Sequence, residues 1–201
     1  MRIALEGQAA LVLGREGAFV RALATALAEN GARVAQSETL LRESGGLVPE
    51  LLVACHELRV DAAPFDHPAL MATTDGIGEA MAARGHGRIV VVTSAFGVLP
   101  ARRHPIASEA AAAVVVRMRN LAMRVGPKVQ VNAVGAGAIV EGETYVSGSE
   151  PMLTHVTAGG PGAVEDIVHA ALFLADPANS YMTGQVLTVD GGWAAGYGRN
   201  F

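Results

Sequence analysis

Six short apolar runs, interleaved with segments of helical periodicity, constrain this chain more than any other feature. Ala9–Leu13 lies between Gly7 and Gly14, too short for a helix and suited to a strand buried on both faces. Arg33–Gln36, Leu51–Cys55, the β-branched Arg88–Thr93, Val129–Val134 and Gln185–Val189 read the same way. From Ala18 to Asn30, Val20, Leu23, Ala24 and Leu27 recur at helical spacing, and Gly31 stands where a left-handed cap ends a helix. Further helices are predicted from Pro68 to about Ala83, over Ala107–Val125 and over Val164–Leu174, the last stopped by Pro177. Gly76 and Gly78 each cost the second helix about 1 kcal/mol relative to Ala. Strands alternating with helices predict an α/β fold: a single-domain, Rossmann-like, doubly wound parallel sheet of about six strands over residues 1–201.

Composition narrows the function. At 201 residues and 51% hydrophobic content, the chain can bury one sizeable core. A net charge of -4 supplies no basic surface for phosphates, so nucleic acid is not an expected partner. The single cysteine, Cys55, offers neither an internal disulfide nor metal-ligand spacing, and no metal is expected. No apolar run resembles a signal peptide or reaches membrane-spanning length, so a soluble cytoplasmic protein is expected, with no membrane partner.

Several segments, in order along nearly the whole chain, resemble the short-chain dehydrogenase/reductase family. They are Leu5–Val12, Ala24–Val34, Gly87–Val90 with Thr93-Ser94, Val131–Val134 followed by Gly137, and Glu165–Ile167 with Phe173–Ala175. The most specific is Tyr181–Trp193, with its Val189-Asp190-Gly191-Gly192-Trp193 close. Relative to the family, the region around 37–50 is shortened by roughly a helix–strand–helix unit of some tens of residues, which removes the wall that supports the adenine ring.

The resemblance implies a nucleotide site and a catalytic Ser-Tyr-Lys set, and both are eroded. The family's TGxxxGxG falls on Leu13 to Val20, so that Gly14 alone stays in register and Gly17 lies one place early. Val20 puts a branched side chain where close approach is required, and Glu16 brings negative charge toward a diphosphate. Glu38 falls where family members carry an acid for the adenosine ribose, which would favour NAD if any cofactor binds. The NNAG motif aligns with Ala54, Cys55, His56 and Glu57, where nothing of it remains; His56 reads as a surface or satisfied histidine.

Hydride transfer at a carbinol carbon also needs a proton donor or acceptor at its oxygen. The family's Tyr position falls on Pro105, which has no ionisable group, and its Lys position on Glu109. Lys128 is the only lysine, Tyr145, Tyr181 and Tyr197 are the only tyrosines, and no Tyr-x-x-x-Lys is encoded. Ser94 matches the family's substrate-orienting serine and also suits a turn or cap.

The reading is therefore a degenerate, catalytically inactive member: no cofactor, and a role as the non-catalytic subunit of a hetero-oligomeric NAD(P)-dependent alcohol/ketone or hydroxyacyl-CoA dehydrogenase. The resemblance implies contact with an active family subunit, or self-association, through helix 107–125 and the C-terminal strand. Trp193 and Tyr197 would serve an interface or cap the chain's own core. Two alternatives stay open: an oxidoreductase or lyase with a relocated site near Ser94, His104 and Glu109, beside Arg103, or a ligand-binding regulatory module in the emptied cleft.

Overall fold

The computed structural model describes residues 1–37, 48–62 and 64–195. Six parallel strands form the main sheet: β1 (Ala9–Gly14), β2 (Arg33–Ala35), β3 (Leu51–Cys55), β4 (Gly87–Ser94), β5 (Val129–Ala136) and β9 (Val186–Val189). Their order is β2-β1-β3-β4-β5-β9, so the winding reverses between β1 and β3. This is the predicted doubly wound, Rossmann-like sheet, and the reversal sets the crevice where such folds bind ligands.

Helices α1 (Ala18–Glu29) and α4 (Val164–Ala175) cover one face, and α2 (His67–Arg84) and α3 (Pro105–Val125) the other. Each buries the stripe that its sequence spacing dictates: Leu23 and Leu27 from α1, Met118, Leu121 and Val125 from α3. Gly31 does take positive φ, +92°, as a left-handed cap requires, and a Cβ there would also meet Glu6 at 3.1 Å. α2 starts on an Asp66 side chain that accepts from the Ala69 N–H at 2.8 Å. Its Gly78 lets it lie against Ile89 and Leu121, where an added Cβ would come within 3.1–3.2 Å. The two helices are also tied by Asp75, which accepts from Arg117 and Arg124 at 3.2 and 3.0 Å.

The sequence reading missed a second, small sheet beyond the end of β5. There β6 (Ile139–Glu141) pairs antiparallel with β7 (Thr144–Ser147) and parallel with β8 (Gly162–Ala163). Strands of two to four residues carry too little periodicity to be seen in sequence. α3 begins two residues earlier than expected because Pro105 occupies its first turn, where a missing N–H costs nothing. Among the described residues no helix is long and apolar enough to cross a membrane, and no cluster of three potential metal ligands occurs.

Candidate functional site

β1 and β3 end side by side, with Gly14 opposite Cys55. Gly14 has φ +150°, and a Cβ on it would lie 2.5 Å from the Cys55 carbonyl oxygen. Strand packing alone therefore demands glycine here, with or without a nucleotide. Gly17 precedes α1 in open space and an extended backbone that any residue adopts. Val20 is buried, with its Cγ2 3.2 Å from where a Cβ on Gly14 would stand, and it borders the residual crevice together with Glu16. Glu16 is exposed, and Glu38 lies outside the described residues.

The residue that fills the turn is Arg15. Its Nη1 donates to Glu57 Oε2 at 2.7 Å, its Nη2 donates to the Pro64 carbonyl at 2.8 Å, and its guanidinium sits 5.5 Å from the Phe65 ring centre. Glu57 is itself fixed, since its Oε1 accepts the N–H groups of Leu58 and Arg59 at 3.1 Å each. The loop after β1 is thus fastened to the loop after β3, across the mouth of the crevice. A second closure lies deeper: Arg59 forms a parallel bridge with Gly148, whose N–H donates to the Leu58 carbonyl at 3.4 Å. The space left between these loops is about 270 Å³. Pockets for drug-sized ligands span roughly 300–1,000 Å³, and a dinucleotide is larger than such ligands. With the two loops fastened in this way, the space between them is smaller than such a pocket.

Behind Glu57 lies an imidazole pair, one ring buried and the other half-buried. His56 and His67 place their Nδ1 atoms 3.0 Å apart, rings nearly parallel, with Phe65 set edgewise to both. Burial, then the neighbouring His67 and Arg117, push the pKa of His56 down to about 3; burial also lowers that of His67. One neutral ring then donates to the other. His56 is neither on the surface nor fully satisfied, since its Nε2 is buried without a hydrogen-bond partner. Burial raises the adjacent Cys55 thiol to about 12, which removes the thiolate a nucleophile requires.

On the other side of the closure, the catalytic positions have structural work. Ser94 is buried and its Oγ accepts from the Phe96 N–H at 3.2 Å, capping a short 3₁₀ turn over Ala95–Gly97. His104 precedes α3 and stacks on Phe96 at 5.8 Å. Glu109 is exposed on α3, and no hydrogen bond joins it to Ser94 or His104. Nor does the fold assemble a tyrosine–lysine pair from a distance. Lys128 precedes β5, at the opposite end of the sheet, and Tyr181 is exposed near the start of β9. Tyr145 lines the residual crevice, and Tyr197 lies outside the described residues.

What does persist is a cleft of about 650 Å³ bordered by Phe96, the Pro100–His104 segment, the 149–155 turn and Trp193. Trp193 is buried against Phe96 at 5.4 Å, which decides for the chain's own core over an interface. Asp190 holds it there: its two carboxylate oxygens accept from the Gly192 and Ala194 N–H groups at 3.0 Å each.

Residues 66–194 match the family model described as enoyl-(acyl carrier protein) reductase. D-erythrulose reductase of Gallus gallus is 28% identical over 239 aligned positions, covering 95% of this chain and 97% of that protein. The alignment is longer than the 201-residue chain, so it contains gaps. 2-Dehydro-3-deoxy-D-gluconate 5-dehydrogenase of Bacillus subtilis is 31% identical over 131 residues, and there the chain spans about half of the relative: 62% of this chain, 52% of that protein. Among solved structures, an Agrobacterium tumefaciens protein with bound NADP superimposes with TM-score 0.72 and 27% identity, covering 96% of this chain and 98% of the other. A short-chain dehydrogenase from Leptospira borgpetersenii with bound NAD+ gives TM-score 0.75 at 17% identity over 95% and 94% of the two chains, a likeness of fold. On the family match, the relatives and the superimposable fold, the chain belongs to the short-chain dehydrogenase/reductase family of oxidoreductases.

Proposed function

We propose that this chain is a non-catalytic member of its family that works as one subunit of an assembly with a competent NAD(P)-dependent dehydrogenase. The observation that carries this reading is the Arg15–Glu57 ion pair at 2.7 Å, which joins the two loops between which a dinucleotide lies in an open α/β sheet. The chemistry supports it independently. A carbonyl oxygen gaining hydride at its carbon must receive a proton, and Pro105 supplies none. The alcohol, ketone or hydroxyacyl thioester is then the partner's substrate.

Two surfaces favour assembly. Val116 and Met123, one heptad apart on the same side of α3, are 56% and 74% exposed, an apolar strip that a facing helix would cover. Among the described residues β9 is an edge strand, the kind of element to which another chain can pair.

Thermal unfolding with NADH and with NADPH tests the reading. A nucleotide at a hundred times its Kd adds about 2.7 kcal/mol, roughly 5–10 °C in a domain of this size. Neither nucleotide should shift the midpoint of the chain alone, and co-expression with a dehydrogenase from the same source should yield a mixed oligomer by native mass measurement. A solitary chain that oxidises NADH would sink the reading.

A further inference from the structure

The cleft on the far side of the closure differs chemically from the rest of this acidic protein. Arg102, Arg103, His104 and His155 border it, and among the described residues that line it there is no aspartate or glutamate. Among the described residues neither arginine has a hydrogen-bond or ion-pair partner, and the buried Nδ1 of His155 has none either. Elsewhere Arg15, Arg84, Arg117 and Arg124 pair with carboxylates, and Arg33, Arg88 and Arg119 donate to backbone carbonyls. The cleft also abuts the start of α3, a 21-residue helix whose N-cap residue, His104, makes no side-chain cap bond. The positive end of its dipole favours an anion near the arginines. The inner wall is aromatic, with Phe96 and Trp193 packed at 5.4 Å and His104 stacked on Phe96.

We infer that this cleft binds a small ligand with an oxyanion, carboxylate or phosphate, on an apolar body, and does so without a nicotinamide nucleotide. The oxyanion sits against Arg102 and Arg103 at the rim, where a guanidinium offers paired N–H donors to two oxygens. The apolar body lies toward Phe96 and Trp193. A cleft of about 650 Å³ lies within the range of pockets for such ligands. This rests on the non-catalytic reading in one respect only: the nucleotide is not needed to complete the site.

The test is titration of the purified chain with benzoate, with phenyl phosphate and with uncharged benzyl alcohol, read by the emission of Trp193, the only tryptophan. Benzoate or phenyl phosphate, whichever oxyanion fits, should give a saturable change without nucleotide, at least tenfold tighter than benzyl alcohol and weakened by salt. The doubly substituted Arg102→Ala/Arg103→Ala chain, altered only at exposed side chains, should lose at least tenfold in affinity. Benzyl alcohol binding as tightly as the anions, unchanged binding in the double variant, or no saturable response from either anion would each overturn the inference. Anion binding that appears only with NADH would overturn it too, and would be accompanied by the nucleotide-induced thermal shift that the non-catalytic reading excludes.

Discussion

Arg15 and Glu57 meet at 2.7 Å across the β1/β3 switch point, and the same carboxylate orders the backbone of Leu58 and Arg59. The pair is thus a fastening between two loops, with unequal roles at its ends. Arg15 is about one-third exposed and replaceable by water, whereas Glu57 is nearly buried and satisfies two N–H groups.

Removing the two ends should cost different amounts. Arg15→Ala is expected to lose about 0.5–1 kcal/mol in urea unfolding. Glu57→Ala should lose more, about 1–2 kcal/mol, because it also leaves the part-buried Leu58 N–H without its acceptor. A double-mutant cycle should return a coupling of about 0.5–1 kcal/mol that shrinks with added salt. Equal single-variant losses with no coupling would contradict the fastening.

Acid should weaken the fold through His56. Its pKa is pushed from 6.5 to about 3 in the folded chain, so as pH falls below about 6.5 the unfolded state takes up a proton first. The stability tied to this ring is complete above about pH 6.5 and is lost progressively toward pH 3, reaching about 2 kcal/mol by about pH 5. His56→Leu should flatten that slope in urea unfolding measured at a series of pH values.

Gly14 tests whether the first glycine serves packing. Gly14→Ala forces a Cβ to 2.5 Å from the Cys55 carbonyl at φ +150°, and a loss of about 1–3 kcal/mol is expected. Cys55, buried in the folded chain, should then react faster with a maleimide, because the β1–β3 ends must part. An unaffected midpoint would mean the strand ends are looser than described.

Asp190 positions the aromatic wall of the cleft. Asp190→Ala removes both acceptors that shape the turn before Trp193, so the Trp193 emission maximum should move to the red. Anion binding in the cleft should weaken with it, while Asp190→Asn, which keeps one acceptor oxygen, should fall between the two. Unchanged emission in the alanine variant would separate the turn from the ring's burial.

The alternation of short apolar runs with helical stripes determined the doubly wound sheet, because strand and helix periods are local properties of the chain. Gly31 and the Ala107–Val125 stripe were legible for the same reason. So was the lack of a Tyr-x-x-x-Lys, a statement about residue types alone. The three short strands beyond β5 were not legible, since so few residues carry no period. Sequence spacing named Val20 and Glu16, which do border the crevice, but not Arg15, the residue that fastens it. Arg15 and Glu57 are 42 positions apart, and only the parallel register of β1 with β3 brings their loops together. The cationic rim of the cleft likewise joins the 102–104 segment to His155 through the turn that β5 and the small sheet place opposite α3. Side chains distant in sequence acquire a shared electrostatic field only when the backbone has fixed their separation, and that separation is a tertiary quantity.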